Sequence, residues 1–228
     1  SIRIESCCLD YFLPFIKPRP ESMSCKITLE NNSILTFEES RYSSEKSFIL
    51  DITMGELLRI TSVDQELRNK SDLDDFSCLL DSHLNEAALY DYIRGYLDEK
   101  GKYNKSILKT ISEDPKHFFY FNNGITIVSD SITTQDLRRE RTVIDINGIQ
   151  VVNGGQTLKS LDKFMEKYRI EDLDEEDKEI VLSTLESVHI LVKIFNTGNN
   201  DNLKFSISEY TNSQNSISAV DLKSNDSI

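Results

Sequence analysis

The sequence predicts a mixed α+β protein of the broad α/β class, on three observations. Short β-branched runs such as Ile125-Thr-Ile-Val128 and Val188 to Phe195 read as strands. Between them, apolar residues recur at helical spacing, most plainly Leu158, Leu161, Phe164 and Met165. Asparagine and glycine pairs, Asn147-Gly148 and Asn153-Gly154-Gly155 among them, punctuate the two kinds of segment. With 228 residues, 38% apolar and 29% charged, the chain has the composition of an ordinary globular protein. Its expected division is an N-terminal β-rich segment over residues 1–60 and a core over 61–228, the whole being one compact unit of a longer protein.

Taken in order, the alternation of Ile2 and Ile4 opens on a strand, and Pro14, Pro18 and Pro20 then forbid a helix. Lys26 to Glu30 and Ile34 to Glu38 read as a hairpin turned by Asn31-Asn32-Ser33. Phe48 to Ile52 is a strand, and the Thr53-x-x-Glu56 spacing of a capping box starts a helix through Leu57, Leu58 and Ile60. Asn69 to Asp81 is acidic but lacks the glycine and glutamate of a calcium loop, so it reads as a solvated connection. Leu89 to Leu97 is amphipathic and carries Arg94 among Tyr90, Tyr92 and Tyr96. Asn104 is placed to cap a helix through Ile111, with Pro115 beyond its end.

His117 to Phe121 and Ile125 to Val128 read as two strand-like runs around a deep Asn122-Asn123-Gly124 corner. Ser131 to Arg141 is polar, either a solvated loop or, through Arg138, Arg139 and Arg141, a phosphate contact. Thr142 to Ile146 forms a strand that Asn147-Gly148 turns back into Ile149 to Val152. The helix of Leu158 to Met165 follows, then an acidic start at Glu171, a helix over Glu179 to Leu185 and the strand Val188 to Phe195, in which His189 reads as structural. Asp201 caps a helix toward Tyr210, Thr211 to Asn215 makes a polar corner, and Ser218 to Asp221 restarts a helix.

The strand, glycine turn and helix from Ile149 to Met165 form the stretch around which the chain is organised. Such a turn directs backbone N–H groups and the positive end of the helix dipole at one point, which suits a phosphate. Gly154 and Gly155 allow a positive φ and a close approach, while Gln156 and Thr157 add an amide and a hydroxyl. If the three amide-rich corners converge, the expected ligand-binding residues are Asn122, Asn123, Asn153, Gly154, Gly155, Gln156, Thr157, Asn212, Gln214 and Asn215, with Arg94 a further phosphate ligand. The ligand is then a nucleotide or another phosphate-bearing molecule, with magnesium an optional companion. Two other readings stand beside this one: nucleic-acid recognition through Arg138, Arg139 and Arg141, and an interaction domain in which the asparagines only satisfy turns.

The formal charge of -13 repels nucleic acid except where basic residues cluster. Cys7, Cys8, Cys25 and Cys78 match no zinc or disulfide spacing, no metal site is expected, and no apolar run approaches the roughly 20 residues that span a bilayer. The expectation is a cytoplasmic protein with reduced thiols, no membrane segment and no visible set of catalytic residues.

Phe119-Tyr-Phe-Asn-Asn-Gly-Ile-Thr126, Val151-Val-Asn-Gly-Gly-Gln-Thr157 and Tyr210-Thr-Asn-Ser-Gln-Asn215 resemble, in order and spacing, motifs of the abortive infection phage resistance (AIPR) family. The likeness covers about residues 50 to 228. Leu89 to Leu97 is similar to that family's Asn-Val-Arg segment, with Tyr92 where the asparagine usually stands. More distantly, the strand, Asn153-Gly-Gly-Gln-Thr157 and helix resemble the Asp-Gly-Gln-Gln-Arg turn of ParB-like and sulfiredoxin-like proteins. That likeness implies a core of mixed strands and a nucleotide at the turn. Asn153 replaces the acid and Thr157 the arginine, so binding is implied more than hydrolysis. The AIPR resemblance implies a role in phage defence, and any nuclease it implies would lie in sequence outside this chain.

Overall fold

The computed structural model describes residues 22–38, 46–71, 73, 75–89, 102–138, 140–198 and 200–213. The expected opening strand at Ile2, the segment around Arg94 and the restart after Ser218 lie outside the described residues. Among the described residues the fold is mixed α+β, with two sheets and seven α-helices.

The smaller sheet has the order β1 (Ser24–Glu30), β6 (Arg141–Asn147), β5 (Ser131–Leu137), antiparallel throughout. The larger has the order β2 (Ile34–Glu38), β3 (Lys46–Thr53), β8 (His189–Asn196), β4 (Ile125–Ser129), β7 (Gln150–Asn153). Only β4 and β8 run parallel, which a tight turn cannot connect, and most of the C-terminal half of the chain lies between them. The helices are α1 (Met54–Ile60), α2 (Gln65–Asn69), α3 (Lys102–Glu113), α4 (Phe118–Phe121), α5 (Gly155–Met165), α6 (Glu175–Ser187) and α7 (Asp201–Ser213).

One apolar cluster joins both sheets to the helices: Cys25, Ile27, Ile144 and Ile146 from the smaller sheet, Leu50, Ile52, Val192 and Ile194 from the larger, and Leu57, Leu158, Leu161 and Leu185 from the helices. Alternation places these strand residues on one face each, and the i, i+3, i+7 spacing of Leu158, Leu161 and Met165 does the same for α5. Each such side chain contributes about 1.5–3 kcal/mol by leaving water.

Arg59 is completely buried in this core, and its charge is fully answered. It donates to the Glu56 carboxylate at 2.7 Å and to the carbonyls of Leu67 at 2.8 Å, Lys70 at 2.6 Å and Lys26 at 2.6 Å, tying α1 and α2 to β1. Arg68 does the same for Ser24, Ser62 and Val63. Between them lies Cys25, whose thiol burial pushes up to about 12, partly opposed by Arg59.

Several local expectations need correction. Lys26 to Glu30 and Ile34 to Glu38 are strands, but they belong to different sheets and form no hairpin. Asn31 to Ser33 winds as a 3-10 turn, and Asn31 is held to the smaller sheet by its N–H on the Glu140 carbonyl and its Oδ1 on the Thr142 hydroxyl, both at 2.8 Å. Asn147-Gly148 likewise passes from one sheet to the other: Gly148 takes φ +71° and donates to the Met23 carbonyl, so β7 pairs with β4 instead of β6. The polar stretch from Ser131 is an edge strand for most of its length, its polarity matching the exposure of every residue but Ile132.

Phe118 to Phe121 is helical, not extended, because Pro115 opens a 3-10 turn that leads directly into it. The corner after it is therefore shallower than expected: Asn122 is half-buried and Asn123 exposed. Thr53 caps α1 as expected, accepting from the Glu56 N–H at 3.2 Å. Asn104 lies inside α3 and does not cap it, and the side chain capping α7 belongs to Asn200, which accepts from the Leu203 N–H at 3.0 Å, not to Asp201. His189 faces out of β8 and bonds Asp51 on β3 at 2.7 Å.

Candidate functional site

The candidate site is built where β7 ends. Its last residue, Asn153, pairs with Thr126 of β4, and Gly154 then takes the left-handed conformation, φ +83° and ψ 10°, which reverses the chain into α5. A side chain there would meet the Gly124 carbonyl at 2.6 Å and the Ile125 Cα at 2.9 Å. Glycine is thus required twice over, for its φ and for the approach of β4. Gly155, by contrast, is the first residue of α5 and is not among the positive-φ residues. The Leu158 N–H closes the first helical turn on the Gly154 carbonyl at 3.1 Å. The three N–H groups before it have no carbonyl within the helix.

The other two corners reach this turn. Asn122, between α4 and β4, accepts from the Gly124 N–H at 2.9 Å and donates to the Thr157 hydroxyl at 3.2 Å. On the other side, Asn153 donates to the Thr211 carbonyl at 2.6 Å, and Asn212 donates to the Val152 carbonyl at 2.9 Å and the Ser208 carbonyl at 2.8 Å. α7 thus lies against β7 with Lys204, Ser208 and Asn212 as its buried residues, Lys204 pairing with Asp130 at 2.5 Å. Its apolar Leu203, Phe205 and Tyr210 are exposed.

Asn122, Asn153, Gly154, Gly155, Gln156, Thr157 and Asn212 are therefore brought to one place, although they are distant in sequence. Asn123 is exposed beside them. Gln214, Asn215 and Arg94 lie outside the described residues. Of the arginines, Arg138 is exposed in the turn between β5 and β6, Arg141 is half-buried at the start of β6, and Arg139 lies outside the described residues. Arg138 and Arg141 sit at the far end of seven-residue strands from Asp130 and Asn147, roughly 20 Å away at strand rise.

The aromatic run before Asn122, expected to lie deep, is instead largely exposed beside the corner. Tyr120 and Phe121 are 77% and 69% exposed immediately before Asn122, and Tyr210 is 67% exposed immediately before Thr211. The signal was their place in the same motifs as the asparagines, although an aromatic run reads first as core. Chemically, the described residues of the site offer amides, a hydroxyl and backbone N–H groups, which recognise polar ligands. Among the described residues no three His, Cys, Asp or Glu side chains are grouped to hold a metal ion, and no helix is long and apolar enough to cross a membrane.

A family model described as AIPR protein matches residues 89–228, which contain all three amide-rich motifs. No curated protein and no solved structure matches the chain. The match spans more than half of the sequence and includes each of the corners that meet at Gly154, so this chain belongs to the AIPR family, a membership that points to a role in abortive-infection phage resistance.

Proposed function

We propose that the chain serves phage defence by binding a nucleotide, or another phosphate-bearing ligand, at the turn from Asn153 to Thr157. The observation that carries this reading is the left-handed Gly154 opening an eleven-residue helix, with the Thr157 hydroxyl held by Asn122 at its mouth. Backbone N–H groups at a helix start, reinforced by the helix dipole, favour a phosphate. Gly155 presents no side chain of its own, and Gln156 and Thr157 add side-chain contacts. Tyr120, Phe121 and Tyr210 offer flat apolar faces beside the turn, on which a base can stack. Asn123, Gln214 and Asn215 are the groups assigned to sugar and base, Asn122 and Asn212 holding the corners in place. Because the donor set is neutral amide and hydroxyl, any magnesium would be carried chiefly by the ligand's own phosphates.

The test is a thermal-shift screen of the 228-residue chain against nucleoside triphosphates and short single-stranded DNA and RNA, followed by calorimetric titration of any hit. A ligand at 100 times its Kd stabilises by about 2.7 kcal/mol, which at this size raises Tm by roughly 5–11 °C. Gln156→Ala should weaken binding by roughly 0.5–1.5 kcal/mol, and Gly155→Ala should abolish it. No shift with any of these ligands, or full binding by Gly155→Ala, defeats the proposal.

A further inference from the structure

Strand β2 forms one edge of the larger sheet and pairs only with β3 among the described residues. Its register with β3 is unbroken from Ile34 to Glu38, and its sequence Ile-Leu-Thr-Phe-Glu contains no proline and no lysine. Edge strands are ordinarily guarded by such residues or by bulges, because their unpaired N–H and C=O groups template another strand. Ile34 and Thr36 line a cavity of about 240 Å³ that also borders Thr134 and Asp136 of β5. By alternation Leu35 and Phe37 point the other way, and they are 63% and 65% exposed. Among the described residues nothing covers this edge, and its exposed apolar pair makes it a pairing surface.

We propose that this edge pairs with β2 of a second copy of the chain, antiparallel about a two-fold axis through Thr36. The strand complements itself in that arrangement. Thr36 meets Thr36, and Leu35 meets Phe37, on both sides of the axis, and these are favourable cross-strand pairs. The strand's one charge, Glu38, falls at opposite ends of the paired strands, roughly 13 Å from its counterpart, and each is already matched by Lys46 at 3.1 Å. Parallel pairing in register would instead set the two Glu38 carboxylates side by side. The two five-stranded sheets become one continuous sheet, and the isologous contact closes both edges at once. Contact through one strand is smaller than the 1,200–2,000 Å² typical of stable complexes, so the dimer depends on concentration.

Sedimentation equilibrium over about 1 to 500 μM should show the mass rising from 26.2 kDa toward twice that value. The double variant Leu35→Lys/Phe37→Lys, changed only at exposed positions, should keep its circular dichroism and remain a monomer throughout. Thr36→Cys should form a disulfide-linked dimer under mild oxidation well above the wild-type level, since facing Cα atoms lie within disulfide reach. Leu35→Cys, offset from its counterpart, should not. A wild-type chain that is monomeric at every concentration, a dimer that persists in the double lysine variant, or cross-linking equal at both cysteine positions each overturns the proposal.

Discussion

Replacing Gly154 by alanine puts a methyl group where two penalties coincide. The left-handed backbone at φ +83° costs a non-glycine residue roughly 1–2 kcal/mol. The new Cβ would also lie 2.6 Å from the Gly124 carbonyl oxygen and 2.9 Å from the Ile125 Cα, backbone atoms of β4 and its approach that cannot rotate away. Overpacking of this kind costs typically 1–3 kcal/mol more. Gly154→Ala should therefore lose about 2–5 kcal/mol. Gly155→Ala, one residue on, enters a helical conformation and should be neutral or gain about 0.4–1 kcal/mol by stiffening the unfolded chain. Urea denaturation of both variants measures the contrast: the midpoint should fall sharply for the first and hold or rise for the second, with m unchanged. A Gly154→Ala protein within 1 kcal/mol of wild type would refute the argument that β4 is pressed against the turn. The same contrast makes Gly155 the position at which ligand binding is separable from stability.

Two further outcomes follow from the core. Arg59→Met fills the volume but leaves the Glu56 carboxylate and the carbonyls of Lys26, Leu67 and Lys70 without their donor, so urea denaturation should show a loss of about 3–5 kcal/mol, and a loss below 1 kcal/mol would mean the cluster is already hydrated. Because the Cys25 thiol is raised from 9.0 to about 12, the unfolded chain releases this proton first. Its contribution is whole below pH 9 and shrinks by up to about 1.4 kcal/mol per pH unit above it. The stability difference between wild type and Cys25→Ala should narrow accordingly from pH 9 to 11, and a constant difference would show the thiol ionising in the folded state.

What was legible in the sequence was local. The periodicity of Leu158 to Met165, the Thr53 cap and the glycine turn at Asn153 to Thr157 each rest on residues within one turn or strand of each other, and each appears as read. The pairing of strands was not legible, because Asn31 and Asn147-Gly148 carry hairpin chemistry whichever strand lies beyond them. Whether such a turn closes a hairpin or crosses between sheets depends on distant partners, Glu140 and Thr142 for the first and Met23 for the second. The aromatic run at Phe118 to Phe121 misled for a related reason: propensity favours a strand, and the preceding Pro115 turn overrides it. At the candidate site the residue types were visible and their meeting was a conjecture. The hydrogen bonds from Asn122, Asn153 and Asn212 to partners 35, 58 and 60 positions away are tertiary facts that no local pattern encodes.

The mode of attachment of α7 has a thermodynamic consequence. Its buried residues are Lys204, Ser208 and Asn212, and it is fastened by an ion pair and amide bonds while Leu203, Phe205 and Tyr210 are exposed. Releasing it would expose only part of the half-buried Ile207 from the helix itself, so the opening carries a much smaller heat-capacity change than global unfolding. With little heat-capacity change the enthalpy of that opening stays nearly constant with temperature, and because Lys204 is buried against Asp130, salt screens the pair only weakly. The helix is thus a clasp over the end of β7 fastened by polar contacts, and detaching it would break the Asn153–Thr211 and Asn212–Val152 bonds.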